Sequence, residues 1–318
     1  MHNEHRLELD DDTMRRVLSE AGVDPVTATG WVELTEGTYN TAYRIRRAGG
    51  PGLVLKVAPH PDAPGLTHER GLMRTETAFY RAAGGRAPVP EVVHADFGRT
   101  TVPADLLLMT EIQGDTLAAR AATTTPAEAA ALRTGLGRVV AGLHEVTGTG
   151  YGYPQLGLAR TWREAFLSMV DGVLADAARF AVALPVDDVA GRMRSHAALL
   201  DEVSRPVLVH FDLWDGNVLV HDGRVTGLID GERAFWGDPL AEFVSLALFD
   251  DIERDRAFLS GYGAGPFTRS ARLRLAMYRS YLYLVMLVEG TPRGYSGPGH
   301  QQQVELVRKH LCAELGAL

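Results

Sequence analysis

His210, Asp212, Asn217 and Asp230 carry the chemistry this chain advertises most clearly. They fall within VLVHFDLWDGNVLVHDGRVTGLIDGE, residues 207–232. Apolar runs at 207–209 and 218–220 flank the polar segment His210-Phe211-Asp212-Leu213-Trp214-Asp215-Gly216-Asn217, and a third run, 225–229, ends on Asp230. That pattern reads as strand, loop, strand, a turn at Asp222-Gly223, and strand, with charged groups presented at strand ends. The spacing H-x-D-x-x-x-x-N, followed by a strand-terminal Asp, serves phosphoryl transfer. In such sites the first Asp accepts the substrate hydroxyl proton, and the Asn and the later Asp hold magnesium on the nucleotide phosphates.

Taken one at a time, these residues have plainer readings as solvated loop acids and a turn Asn. The combination of His210, flanking strands and Asp230 at this distance favours the site. The segment resembles the catalytic core of the aminoglycoside phosphotransferase family, small-molecule kinases related in fold to protein kinases. The resemblance implies Asp212 as catalytic base and Asn217 and Asp230 as metal ligands, with ATP or GTP and Mg2+ as cofactors.

Such a site needs a nucleotide-holding half upstream. A helix is expected over 9–21, then strands at 31–34 and 42–46 around Glu36-Gly37-Thr38-Tyr39-Asn40, a hairpin with Gly and Asn where turns favour them. Backbone N–H groups in such a loop can face phosphate oxygens. Gly37–Asn40 is similar to the family's G-x-x-N loop, which assigns Gly37, Thr38 and Asn40 to nucleotide binding.

Lys56 interrupts the apolar strand 53–58. A buried lysine is costly unless paired; an edge strand with Lys56 facing solvent is the plain alternative. The resemblance makes it the phosphate-contacting lysine that pairs with a helix glutamate. The expected helix, 67–83, offers Glu69 and Glu76, seven apart and so on one face. Glu76 matches the family's position ahead of Val89-Pro90-Glu91-Val92, and Glu69 is the alternative. Strands at 92–97 and 106–110 complete about five antiparallel strands. Thr110, Glu111 and Ile112 resemble the family's adenine-binding hinge, although Gly114 comes one residue early.

From Pro126 the pattern turns helical. A long helix over 127–146 carries Leu143-His144-Glu145 at its end, and His144 is expected to be structural. Helices over 162–179 and 189–203 form an insert, about 153–204, that in related antibiotic kinases walls the acceptor pocket. Its mixed charges read mostly as a solvated face. Gly231-Glu232-Arg233-Ala234 and Gly237-Asp238-Pro239 follow the small-molecule version of the motif. Asp238 is expected to brace a loop, and Glu232 to support the metal site or an arginine. Helices are expected over 240–249, 252–262, 270–289 and 301–315. Tyr278, Tyr281 and Tyr283 read as core, and Glu289 and Asp250 as acidic contacts for a cationic substrate.

The resemblance covers nearly the whole chain. It implies an α+β, bilobal protein-kinase-like fold, with an N-lobe at 1–111 of about five antiparallel strands plus helix and a mainly helical C-lobe at 112–318. The 318 residues suffice for two lobes. A net charge of −8 with no basic tract disfavours nucleic acid. No apolar run is long enough for a membrane span, and the polar, acidic N-terminus does not read as a signal peptide. A single cysteine fits a reducing cytoplasm. The absence of an A-P-E segment argues against a protein substrate.

The expected activity is O-phosphorylation of a small molecule, first an aminoglycoside or related cationic antibiotic. Alternatively the acceptor is a metabolite such as an amino sugar, fructosamine or choline-like amino alcohol, since Asp212-Leu213-Trp214 also occurs in sugar-amine kinases. Two other classes are a non-catalytic nucleotide-binding protein and a metal-dependent hydrolase built on His210, Asp212 and His221.

Overall fold

Asp10 starts the first helix by accepting the Thr13 N–H at 2.8 Å, and α1 (Asp11–Glu20) buries Met14, Val17 and Leu18 along one stripe. The computed structural model describes residues 6–318 apart from Glu36 and Thr38. After a 3-10 turn at Pro25–Thr27 the chain builds β1 (Ala28–Leu34), β2 (Thr41–Arg47) and β3 (Leu53–Val57). It then forms α2 (Leu72–Ala83), β4 (Val92–Asp96) and β5 (Leu106–Thr110). The five strands make one antiparallel sheet in the order β1-β2-β3-β5-β4.

Strand alternation sorts the two faces of this sheet. Leu53, Leu55 and Val57 of β3, with Leu106 and Leu108 of β5, pack against Met14, Val17 and Leu18 of α1. Leu107 and Met109 point the other way and join Met73, Phe79 and Tyr80 of α2 in the larger core. Lys56, between Leu55 and Val57, is thereby turned to the α2 face. That parity delivers its ammonium to a helix glutamate.

The chain continues through β6 (Asp115–Thr116), α3 (Leu117–Arg120), α4 (Pro126–Leu143), α5 (Trp162–Arg179) and α6 (Val189–Ser195). Thr125 and Glu128 form a capping box at the start of α4, with Pro126 in its first turn. Next come β7 (Val207–Val209), β8 (Val218–His221), β9 (Arg224–Leu228) and β10 (Phe235–Gly237). The helices α7 (Phe243–Leu246), α8 (Arg256–Tyr262), α9 (Arg269–Val288) and α10 (Pro298–Ala317) complete the fold. β8 and β9 join through Asp222-Gly223, both at positive φ (48° and 69°), the two-residue turn that suits strand twist. α9 is buried on nearly every side. Its Tyr278 hydroxyl accepts from Trp162 Nε1 and donates to Asp238, each at 2.7 Å, and Tyr283 stacks on Phe249, so this aromatic series is core.

A sheet-and-helix half above a mainly helical half is the α+β, two-lobed arrangement expected. Several element bounds differ from expectation. The helix over 67–83 is a 3-10 turn at Thr67–Glu69 and then α2, separated at Gly71, whose φ is 76°. Glu69 folds back to accept the Leu66 N–H at 2.7 Å, which closes the first turn on itself. The stretches 189–203, 240–249 and 252–262 likewise split into 3-10 turns and short helices. Among the described residues no helix is long and apolar enough to cross a membrane.

Candidate active site

The loop between β7 and β8 is held from below. Glu242, fully buried, accepts the N–H of His210 at 2.7 Å and of Phe211 at 2.9 Å, and Ser245 accepts the N–H of Leu213 at 3.0 Å. Phe211 sits at φ 65°, a strained value for an aromatic residue that these bonds overdetermine. His210 Nδ1 accepts the Asp212 N–H at 3.3 Å, so its other nitrogen carries the proton and donates to the Ile229 carbonyl at 2.8 Å. Burial holds the His210 pKa below its usual value, consistent with this neutral tautomer. Asn217 donates from Nδ2 to the Asp212 carbonyl at 2.8 Å and to Asp212 Oδ2 at 3.3 Å. Asp212 and Asn217 therefore occupy one small, braced loop.

Asp230 leaves β9 in the left-handed region, φ 62°, which swings its carboxylate towards Lys56. Lys56 Nζ pairs with Asp230 and, at 2.6 Å, with Glu76 Oε1. The Tyr80 hydroxyl donates to the same Glu76 oxygen at 2.6 Å and accepts the Asp230 N–H at 3.0 Å. Gly231 lies so close to α2 that a Cβ there would run into the Phe79 ring. Phe79 in turn meets the His210 ring edge-on, centroids 5.0 Å apart. Burial acts against the Lys56 charge, but Asp230 and Glu76 outweigh it and raise its pKa well above the usual value. For Asp230 burial acts upward, and Lys56 overrides it to leave the carboxyl acidic. Burial raises Glu76, with Lys56 opposing. The Asp230 side chain remains 40% exposed beside the closed Lys56–Glu76 pair, so one face of it is open to a ligand.

Glu76 and not Glu69 is the partner of Lys56. Glu69 pairs instead with Arg293 and belongs to a second charged chain. In that chain Arg293 Nη1 lies 3.4 Å from Glu289 Oε2, Arg233 Nη2 lies 2.7 Å from the same oxygen, and Arg233 Nε lies 3.9 Å from Asp212 Oδ2. Glu289 is thus engaged by two arginines instead of standing free for a cationic substrate. Asp250 is exposed and paired with Arg254 at 3.0 Å. Burial pushes the Asp212 carboxyl up to about 7 against the opposing pull of Arg233.

Asn40 donates to Glu232 Oε2 at 2.8 Å, tying the β1–β2 loop to the segment after Asp230. Gly37 has no positive φ, and a Cβ on it would meet only the Asn40 carbonyl, at 3.9 Å. Thr38 lies outside the described residues. At the expected hinge, Thr110 donates its N–H to Glu91 and Glu111 donates to Gly52, both at 2.9 Å, while Arg44 pairs with the Glu111 carboxylate at 2.8 Å. Among the described residues no backbone hydrogen bond closes on Ile112. His144 is buried and bonded to Tyr262, and Asp238 accepts from Tyr278, Arg274 and the Leu240 N–H, both as expected. Asp176 departs from the solvated-face reading: it is buried and binds Thr67 through N–H and hydroxyl at 2.6 and 2.8 Å. The hydrolase grouping does not assemble, because His221 lies exposed on the β8–β9 turn beside Asp222.

Sequence reasoning missed Glu242, Tyr80 and Arg233 as parts of this site. Glu242 had a signal: it is a lone carboxylate within an otherwise apolar run, which must be paired to be buried there. Tyr80 and Arg233 were harder to see: Tyr80 meets Asp230 150 residues on and Arg233 meets Glu289 56 residues on, although Tyr80 also stands one helical turn from Glu76.

The profile of the phosphotransferase enzyme family matches residues 30–278. The hygromycin-B 4-O-kinase of Escherichia coli is 27% identical over 274 residues, spanning 80% of this chain and 74% of that protein. A thermostable mutant of aminoglycoside phosphotransferase APH(4)-Ia, solved as a ternary complex with AMP-PNP and hygromycin B, superposes with a TM-score of 0.65. It shares 21% identity over 95% of this chain and 97% of its own. A candidate fructosamine-3-kinase from Thermobifida fusca gives 0.66 and 21% over 96% of this chain and all of its own (100%). Those structural likenesses establish the protein-kinase-like fold. With the profile covering most of its length, the chain belongs to the phosphotransferase enzyme family and is a small-molecule kinase that acts on an alcohol group.

Proposed function

We propose that this enzyme transfers the γ-phosphoryl group of ATP or GTP to a hydroxyl of an aminoglycoside or related cationic antibiotic, inactivating it. The observation that carries the proposal is the convergence of Lys56, Glu76 and Asp230 opposite the loop that holds Asp212 and Asn217. The likeness to a hygromycin-B 4-O-kinase supports the acceptor class.

In this reading nucleotide lies between residues 1–111 and 112–318. Lys56, steered by Glu76, holds its phosphates, the backbone around Gly37, Thr38 and Asn40 covers them, and the hinge at Thr110, Glu111 and Ile112 meets the base. Ile112 is the hinge residue whose backbone groups are left for that purpose. Asn217 spends its Nδ2 on Asp212, which leaves Oδ1, and Asp230 adds a carboxylate. These hard oxygen donors fit magnesium. When bound, magnesium neutralises phosphate charge. Asp212 orients the acceptor hydroxyl and takes its proton as the new P–O bond forms, and Arg233 balances the Asp212 charge. Positioning and electrostatics carry the rate. The helices of 153–204 supply one wall of the acceptor site, and the enzyme works in the cytoplasm.

The second acceptor class, a fructosamine, amino sugar or choline-like amino alcohol, rests on Asp212-Leu213-Trp214 and uses the same chemistry. One experiment separates the two. The purified protein is incubated with magnesium and ATP or GTP against hygromycin B, other aminoglycosides, a fructosamine, glucosamine and choline, and products are identified by mass spectrometry. A phosphorylated antibiotic supports the proposal, and turnover of a metabolite alone moves the enzyme to the second class. No phosphorylated product from an acceptor of either class contradicts both.

A further inference from the structure

The turn after α9 carries Arg293, whose N–H donates to the Glu289 carbonyl at 3.2 Å. Its side chain is 6% exposed and gathers partners from three distant parts of the chain. Glu69 comes from the turn before α2, Glu289 from the end of α9, and the Tyr39 ring from the β1–β2 loop, its centroid 4.4 Å from the guanidinium carbon. Arg293 also donates to the Tyr295 hydroxyl at 3.3 Å. A guanidinium fixed by two carboxylates has little freedom, so a ring laid on its face acquires a fixed seat. The next residue, Asn40, is anchored by Glu232 at 2.8 Å. Two successive residues of the nucleotide-side loop are therefore docked on groups that follow Asp230 and α9.

We propose that Arg293 is a positioning residue of the nucleotide site. It seats Tyr39 and so fixes the loop at Tyr39 and Asn40, while Glu289 ties the same cation to the Arg233 beside Asp212. This inference rests on the kinase reading above. It assigns a function to a buried arginine far from the reacting atoms in sequence, and it makes loop order and base environment depend on one cation.

The test is a double-mutant cycle read by ADP binding in isothermal titration calorimetry, with magnesium present and folding checked by circular dichroism. Tyr39→Leu removes the ring face without leaving a buried charge, and weakens ADP binding by roughly three- to tenfold. Tyr39→Phe keeps the ring and lies closer to the unsubstituted protein than Tyr39→Leu does. Arg293→Met weakens ADP comparably, and the pair together costs little more than either alone. If Arg293→Met does not fold, Arg293→Lys takes its place, with a smaller loss and the same non-additivity. Additive losses, or unchanged ADP affinity in Tyr39→Leu, would overturn the positioning role alone. Absence of ADP binding by the unsubstituted protein would overturn the kinase reading beneath it.

Discussion

The Asp230 amide donates to the Tyr80 hydroxyl at 3.0 Å, and that hydroxyl in turn donates to Glu76 at 2.6 Å. One phenol therefore joins the helix side of the Lys56 pair to the backbone that swings Asp230 into place. Tyr80→Phe leaves the part-buried Asp230 amide without its acceptor and removes one of the two donors on Glu76 Oε1, Lys56 being the other. We expect a loss of about 1–3 kcal/mol in stability and roughly tenfold in kcat/KM, measured by urea unfolding and initial rates. Unchanged values in both would show that Lys56 alone fixes Asp230.

The pH dependence of kcat/KM follows from Asp212. Its carboxyl is pushed up to about 7 by burial and must be ionised to take a hydroxyl proton. The rate should therefore fall tenfold per pH unit on the acid side of about 7 and level above it. Arg233 works to lower this pKa, so Arg233→Met should move the acid limb to higher pH. A limb near the ordinary carboxylate range, or a downward shift in the variant, would contradict the assignment.

Glu242 holds two consecutive amides of the catalytic loop, including that of the strained Phe211. Glu242→Gln replaces one accepting oxygen with an amide that faces a donor. The expected cost is about 1–3 kcal/mol of stability. Because the two amides it holds, those of His210 and Phe211, immediately precede the base while Asn217 lies further along the loop, kcat should fall by more than the KM for nucleotide rises. Thermal unfolding and steady-state kinetics at varied nucleotide decide it.

Gly231 permits α2 to approach the segment after Asp230, with Phe79 against it and His210 beyond. Gly231→Ala should cost about 1–3 kcal/mol through overpacking and should lower kcat, since displacement of Phe79 is passed to the His210 ring. A variant as stable and active as the parent would show that Phe79 yields without disturbing the loop.

Much of this arrangement is visible in sequence because it is local or periodic. The Asp222-Gly223 turn and the bounds of α5 follow from spacing and turn chemistry, whereas the inward Lys56 rested on the family resemblance, since spacing also allowed an edge strand with Lys56 facing solvent. The placing of Glu76 on Lys56 depended on strand parity and helix rotation together, which spacing alone leaves open between Glu69 and Glu76. The break at Gly71 depended on Glu69 folding back on Leu66 and pairing with Arg293, 224 residues away in sequence, so an uninterrupted helix was the natural local reading. Glu289 reads in sequence as a free acid although Arg293 stands four residues after it; its nearer partner in space, Arg233, is 56 residues away in sequence and is not recognisable until α9 is packed. The three-residue strand β10 is too short to have a period, and it exists because β7 offers it an edge.

Asp212→Asn gives the most direct test of the mechanism, since it removes the base while nearly preserving volume and the loop's hydrogen bonds. Single-turnover transfer of γ-phosphate from magnesium-ATP to the acceptor identified by product analysis would be compared with ADP binding by the same variant. The account predicts that transfer falls by at least about a hundredfold while ADP affinity stays within about threefold, because Lys56, Asn217 and Asp230 remain. Transfer at the unsubstituted rate by a folded, nucleotide-binding Asp212→Asn protein would contradict the role assigned to Asp212.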